Sequence, residues 1–179
     1  MIRFSKGYTL IELVMAVSLL VIVLLGGTSI FYQSFKSSGV SDIQASLNNS
    51  LRSLEEMIEG SLRYGKVTRV YGDSGNKIRS DCLVAGDFGV SGYLLEIQDP
   101  SGGVAVYTLL SDGTVSSNSG VIISNPDIYV TKLEFRWYCK SGVYDKMNLS
   151  MEATASGNTT EVTTATLVKD ISLLNSGIY

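Results

Sequence analysis

The chain has 179 residues, a formal net charge of −3, two cysteines and no histidine. That length holds one small domain plus a further segment. The acidic balance argues against a general nucleic-acid or anionic-membrane surface. The missing histidine removes the commonest general base and the commonest metal ligand together.

Met1 to Lys6 is short, polar and basic through Arg3 and Lys6, and Gly7 follows it. Next come Tyr8-Thr9-Leu10-Ile11-Glu12-Leu13, and from Leu13 to Phe35 no residue is charged. About 20 helical residues cross a bilayer core, so this stretch is long enough to span one. Glu12 sits at its very start, and a carboxylate there needs a partner if it is to be carried inward. Arg3 and Lys6 precede the apolar run and no basic residue follows before Lys36. This bias leaves the leader cytoplasmic and the bulk of the chain outside. A secretory signal peptide would place its cleavage site after the apolar run, at Gly26-Gly27-Thr28-Ser29, and a plain membrane anchor would have none. Either reading leaves Glu12 unexplained.

The block Lys6-Gly7-Tyr8-Thr9-Leu10-Ile11-Glu12-Leu13 resembles the class III leader and N-terminus of type IV pilins and pseudopilins. The resemblance implies cleavage by a prepilin peptidase between Gly7 and Tyr8, followed by N-methylation of Tyr8. It also implies that Glu12 pairs with the amino terminus of a neighbouring subunit during assembly. Most members carry Phe where this chain has Tyr8, and the phenol keeps the aromatic body. Major pilins often have Pro or Gly within the membrane stretch, whereas Leu13 to Leu25 has neither. The implied division is a leader over residues 1–7 and a transmembrane, filament-core helix over 8–35. The implied partners are other pilin subunits, the prepilin peptidase, an assembly platform protein and its ATPase, and the membrane.

Ser34 to Ser41 is rich in small residues and reads as a softened part of one long helix, since no proline occurs between Met1 and Gly65. Ile43, Leu47, Leu51, Leu54, Ile58 and Leu62 then recur at steps of three and four, the one-face pattern of an amphipathic helix over residues 36–65. Gly65 is a natural stop, because a left-handed cap costs glycine nothing.

Residues 66–179 read as a β-rich domain. Lys66 to Tyr71 and Asp81 to Ala85 are short strand candidates separated by a Gly/Asp/Asn loop. Gly92 to Gln98 and Val104 to Leu110 flank Asp99-Pro100-Ser101-Gly102-Gly103, a hairpin-turn signal, and Ser111-Asp112-Gly113-Thr114 is a second turn. In Tyr129 to Cys139, the residues Leu133, Phe135, Trp137 and Cys139 share one face and Lys132, Glu134 and Arg136 the other. Met147, Leu149, Met151 and Ala153 alternate likewise, and Glu161 to Leu174 completes the run. The expected class is α+β: a long N-terminal helix, half membrane and half amphipathic, packed on an antiparallel β-sheet, as in the pilin fold. Leu51 to Gly65 and Val130 to Phe135 resemble the larger minor pilins and minor pseudopilins of the W and J type, with a major pilin as the competing subtype.

Cys82 and Cys139 are compatible with one disulfide in an exported compartment, the favoured reading, and also with two buried thiols. Asp73, Asp81, Asp87, Asp99, Asp112, Asp127 and Asp145 are single acids dispersed among turns, where Asp is favoured for its own backbone hydrogen bonds. No catalytic residue, cofactor or metal site is expected. Tyr93, Tyr107, Tyr129 and Tyr138 could stack on single-stranded DNA, but strand candidates hold aromatics for packing alone. Asn148 and Asn158 head acceptor patterns for glycosylation. The expected function is a structural subunit, held in the cytoplasmic membrane before assembly and in an extracellular or periplasmic filament after it. The alternative is a membrane-anchored module that binds a surface or DNA.

Overall fold

The structure, a computed structural model, describes residues 9–118, 120–123, 127–156 and 162–176. It divides into two compact units, Met1–Ser41 and Asp42–Tyr179. Helix α1 runs over Leu10–Tyr64 without a break. Ser34 to Ser41 therefore stays helical, with no proline to remove a backbone donor.

In the second unit, Leu47, Leu51, Leu54, Ile58 and Leu62 are all buried and Ile43 packs against them. This is the face that their spacing predicts. Gly65 follows the helix, as expected, but for a different reason. Its φ is not positive. A side chain there would overlap Ile97 Cγ2 and meet the Ser61 carbonyl oxygen at 2.6 Å, so close approach of the segment around Ile97 is what demands glycine.

After α1 come β1 (Lys66–Gly72), β2 (Gly75–Lys77), α2 (Arg79–Ala85), a 3-10 turn (Gly86–Phe88) and β3 (Val90–Gly92). Next are β4 (Leu94–Gln98), β5 (Val104–Leu109), β6 (Val115–Ser117) and β7 (Gly120–Val121). The long strands β8 (Ile128–Tyr138), β9 (Lys146–Ser156) and β10 (Val162–Ser172) close the chain. They form two antiparallel sheets, in the orders β2-β1-β4-β5-β6-β7 and β10-β9-β8-β3. Three sheet edges are very short strands, β2, β7 and β3; the fourth, β10, is 11 residues long.

Two expectations are corrected. Asp81 to Ala85 is helical, not extended. Ile78 N donates to Asp81 Oδ2 (2.9 Å), the carboxylate half of a capping box, and helix geometry lets Cys82 face the core. Gly92 to Gln98 is not one strand, because it breaks at Tyr93 and contributes β3 to one sheet and β4 to the other. Tyr93 N donates to the Tyr71 carbonyl (2.8 Å), and a side chain at Gly92 would overlap that same carbonyl. The single sheet expected is thus two, stitched here by a backbone contact.

The two turns fall where expected, closed by Asp99 N to Gly103 O and by Leu110 N to Thr114 O (both 2.8 Å). In β8 the residues Leu133, Phe135, Trp137 and, just past its end, Cys139 are buried, but Ile128 and Val130 are buried too. A register shift between Val130 and Lys132 moves the inward phase by one residue, which the simple alternation could not contain. Residues Met147, Leu149, Met151, Ala153 and Ala155 of β9 all face inward. One hydrophobic cluster joins these to the amphipathic face of α1. The result is a long N-terminal helix and antiparallel sheets, the α+β arrangement of pilins.

Candidate anchor and assembly segment

Helix α1 begins with a capping box. Thr9 N and Thr9 Oγ1 both donate to Glu12 Oε2 at 3.0 Å, and Glu12 N donates back to Thr9 Oγ1 at 3.4 Å. The sequence signal was present as Thr9-Leu10-Ile11-Glu12, a Thr followed three residues later by Glu ahead of an apolar run. Reading Glu12 only as an acid awaiting a cation missed it. The negative side chain also lies in the first turn, where the helix dipole favours it.

Beyond Glu12 the apolar side chains point outward. Leu10 is 84% exposed and Phe35 76%, and Leu13, Leu19, Ile22, Val23 and Leu25 are also exposed. The helix is long and apolar enough to cross a membrane. Two of its hydroxyls bond locally: Ser18 Oγ donates to the Val14 carbonyl (2.8 Å) and Thr28 Oγ1 to the Leu24 carbonyl (2.9 Å). Such back-bonding removes the hydroxyl penalty in hydrocarbon. Gly7 and Tyr8 lie outside the described residues.

Cys82 on α2 and Cys139 after β8 are joined by a disulfide, with their Cα atoms 5.5 Å apart. Beside it lies an ion pair that sequence reasoning missed. Asp145, fully buried, receives Arg79 Nε on Oδ2 (3.1 Å) and Arg79 Nη2 on Oδ1 (3.4 Å). Disulfide and ion pair hold α2 to the turn between β8 and β9 at two points.

Asp99 and Asp112 behave as turn residues. Asp99 Oδ1 accepts from Ser101 N (2.8 Å), Ser101 Oγ (2.7 Å) and Gly103 N (2.8 Å); Asp112 Oδ1 accepts from Thr114 N (3.0 Å) and Oγ1 (2.6 Å). The Ser101 hydroxyl and the Gly103 amide lead in holding Asp99 below the usual carboxylate range. Among the described residues no three His, Cys, Asp or Glu side chains gather to hold a metal. Of the tyrosines, Tyr107 is buried and its hydroxyl meets Ser61 Oγ at 2.6 Å, as packing requires. Tyr93 and Tyr129 are instead about half exposed. Asn148 lies in β9, where its amide donates to Asp170 Oδ1 (2.7 Å), and Asn158 lies outside the described residues.

A family model, the prokaryotic N-terminal methylation motif, matches residues 2–28. Neither a curated protein nor a solved structure matches the chain. That motif stands at the head of an exposed apolar helix whose following half packs on antiparallel sheets, the arrangement that the resemblance to type IV pilins and pseudopilins implies.

Proposed function

We propose that the chain is a structural subunit, of the minor kind, in a type IV pilus-like filament. The observation that carries this reading is the methylation motif over residues 2–28. It covers the basic leader, Gly7 and Tyr8, and most of the apolar helix. In this account residues 1–7 are removed by the prepilin peptidase and Tyr8 is N-methylated. Residues 8–35 cross the membrane and later line the filament core, 36–65 carry the amphipathic half, and 66–179 form the β-rich exterior. A platform protein and its ATPase lift the subunit out of the cytoplasmic membrane. The minor assignment draws on the resemblance of Leu51–Gly65 and Val130–Phe135 to the W and J type.

Glu12 is proposed to change partners on assembly. In the single chain Thr9 satisfies its carboxylate. Inside an apolar bundle a hydroxyl and an amide leave the negative charge uncompensated, and the amine created at Tyr8 of an adjoining subunit supplies the cation.

Mass spectrometry of the native protein tests processing: the chain should start at N-methylated Tyr8. An intact Met1, or a start after Gly27, overturns the assignment. Sheared filaments then separate the subtypes. Trace amounts fit a minor subunit, and stoichiometric amounts make it the major one.

A further inference from the structure

The long edge of the second sheet is built differently from the other three. Short strands blunt the edges at β2, β7 and β3, a common device against unwanted pairing. Strand β10 has no such protection. It pairs with β9 through 11 successive residues, from Val162 with Ser156 to Ser172 with Lys146, without a bulge. Among the described residues no strand pairs with its other side. From Val162 to Val168 the sequence is Val-Thr-Thr-Ala-Thr-Leu-Val, with no charge, proline or glycine. A bulge-free edge that opens with this uncharged, largely β-branched run is a ready template for another strand.

The register shows which groups are free. At the end of the ladder Leu173 N donates to the Asp145 carbonyl (3.0 Å). In an antiparallel pair such residues alternate with ones whose N–H and C=O point away. Leu167, Lys169 and Ile171 therefore turn their backbone to β9. Val162, Thr164, Thr166, Val168, Asp170 and Ser172 turn theirs outward. Lys169, the first cation reached along the strand, is already held by Glu55 (2.8 Å) and Glu59 (3.7 Å) of α1.

We infer that β10 is a strand-addition site for an extended, uncharged segment of a different subunit in the same filament. This rests on the filament reading above. An uncharged occupant matches the run Val162–Val168, which offers a charged strand no counter-charge to pair with. A second copy of this chain is a poor occupant. Pairing β10 with β10 is an isologous contact that needs a two-fold axis between the copies, whereas subunits that follow one another in a helical filament are related by a screw and make heterologous contacts.

The test places a photoreactive benzoylphenylalanine at position 164 or 168 of the full chain, in cells that assemble the filament, with position 52 on α1 as control. Both edge positions should give one discrete adduct joined to a strand segment of another filament subunit, and the control should not. Thr166→Pro removes an outward N–H and spares the ladder to β9, so it should lower the adduct at least tenfold while the Cys82–Cys139 bridge still forms. Thr164→Lys, read from position 168, should do the same, and Thr166→Val should keep the adduct. Equal adduct from Thr166→Pro, or an adduct of two copies of this chain, overturns the inference. Absence of any adduct from a chain found in sheared filaments also overturns it and leaves the filament reading standing. A cleaved chain that never reaches filaments fails that reading and the strand-addition site with it.

Discussion

Glu12 and Thr9 make separable contributions, because one carries a charge and the other only a cap. Glu12→Ala should leave cleavage and membrane insertion intact while entry into filaments collapses. In the proposed pair, removing one member leaves the other charge uncompensated. Glu12→Asp should fall between, its arm being shorter. Thr9→Ala removes the helix cap, worth about 1 kcal/mol, and should leave filament entry near normal. Comparing cleaved chain in membranes with chain in sheared filaments reads all three. Normal incorporation of Glu12→Ala would leave Glu12 as a capping residue alone.

Asp145 is the second residue whose role depends on a partner, and the pair is buried on its acidic side. Arg79→Ala should destabilise the β-rich unit by about 3–5 kcal/mol by stranding the fully buried Asp145. The double change Arg79→Met with Asp145→Leu should recover much of the loss, because a packed apolar pair bears no desolvation penalty. Thermal unfolding of the full chain in detergent measures both. Nothing local in the sequence marks Asp145. It looks like one turn acid among seven, and its partner lies 66 residues away. Asp99 and Asp112, by contrast, were readable as turn acids because their partners are two to four residues on.

Acid behaviour follows from Glu134. Its hydrogen bond with Lys132 leads, with Arg136 adding to it, in holding the carboxyl below the usual glutamate range. A depressed folded value contributes stability that is present above the ordinary value of about 4.3 and lost as pH falls. The unfolding midpoint should therefore drop on acidification below about pH 5, and Glu134→Gln should flatten that limb. An unchanged acid limb in the glutamine variant would show that the shift does not report on folding.

At the scale of elements, the long strands and the amphipathic half of α1 were legible because their periods of two and 3.6 are written in residue type. Leu47 to Leu62 and Met147 to Ala153 are inward for that reason. Short elements were not legible. Five residues at Asp81–Ala85 fit strand or helix by pattern alone, and what decides is a cap at Ile78, a disulfide and a distant ion pair. The division of Gly92 to Gln98 between two sheets depends on the approach of β1, which neither segment announces. The disulfide clamp on α2 yields a prediction of its own. Closing 57 residues contributes about 4 kcal/mol in the chain-entropy view. Reduction of the full chain should lower its unfolding midpoint by about 10 °C or more, and a coincident midpoint with and without reductant would remove that contribution.

For the whole molecule, the apolar surface from Leu10 to Phe35 has no cover within the chain's described residues. Membrane or helix bundle must supply it. Before assembly the chain should sediment with membranes and resist carbonate extraction, and recovery in the soluble fraction would contradict anchoring. The anchor was the most legible part of the molecule, since charge-free length is visible residue by residue. The partnering of the β-rich unit was the least legible, since it depends on which strand ends up at an edge.

The disulfide also decides how the chain carries load. If the chain is a filament subunit, as proposed, tension enters along α1 and leaves through β9 and β10 or whatever they hold. Between these points the covalent path runs from Cys82 straight to Cys139. The intervening loop, which holds β3 to β8, lies off that path. Force can strip β1, β9 or β10, but it cannot draw out the loop while the bridge stands. At about 3.4 Å per residue, roughly 190 Å of chain is kept in reserve, and an extension trace should gain that length only after reduction.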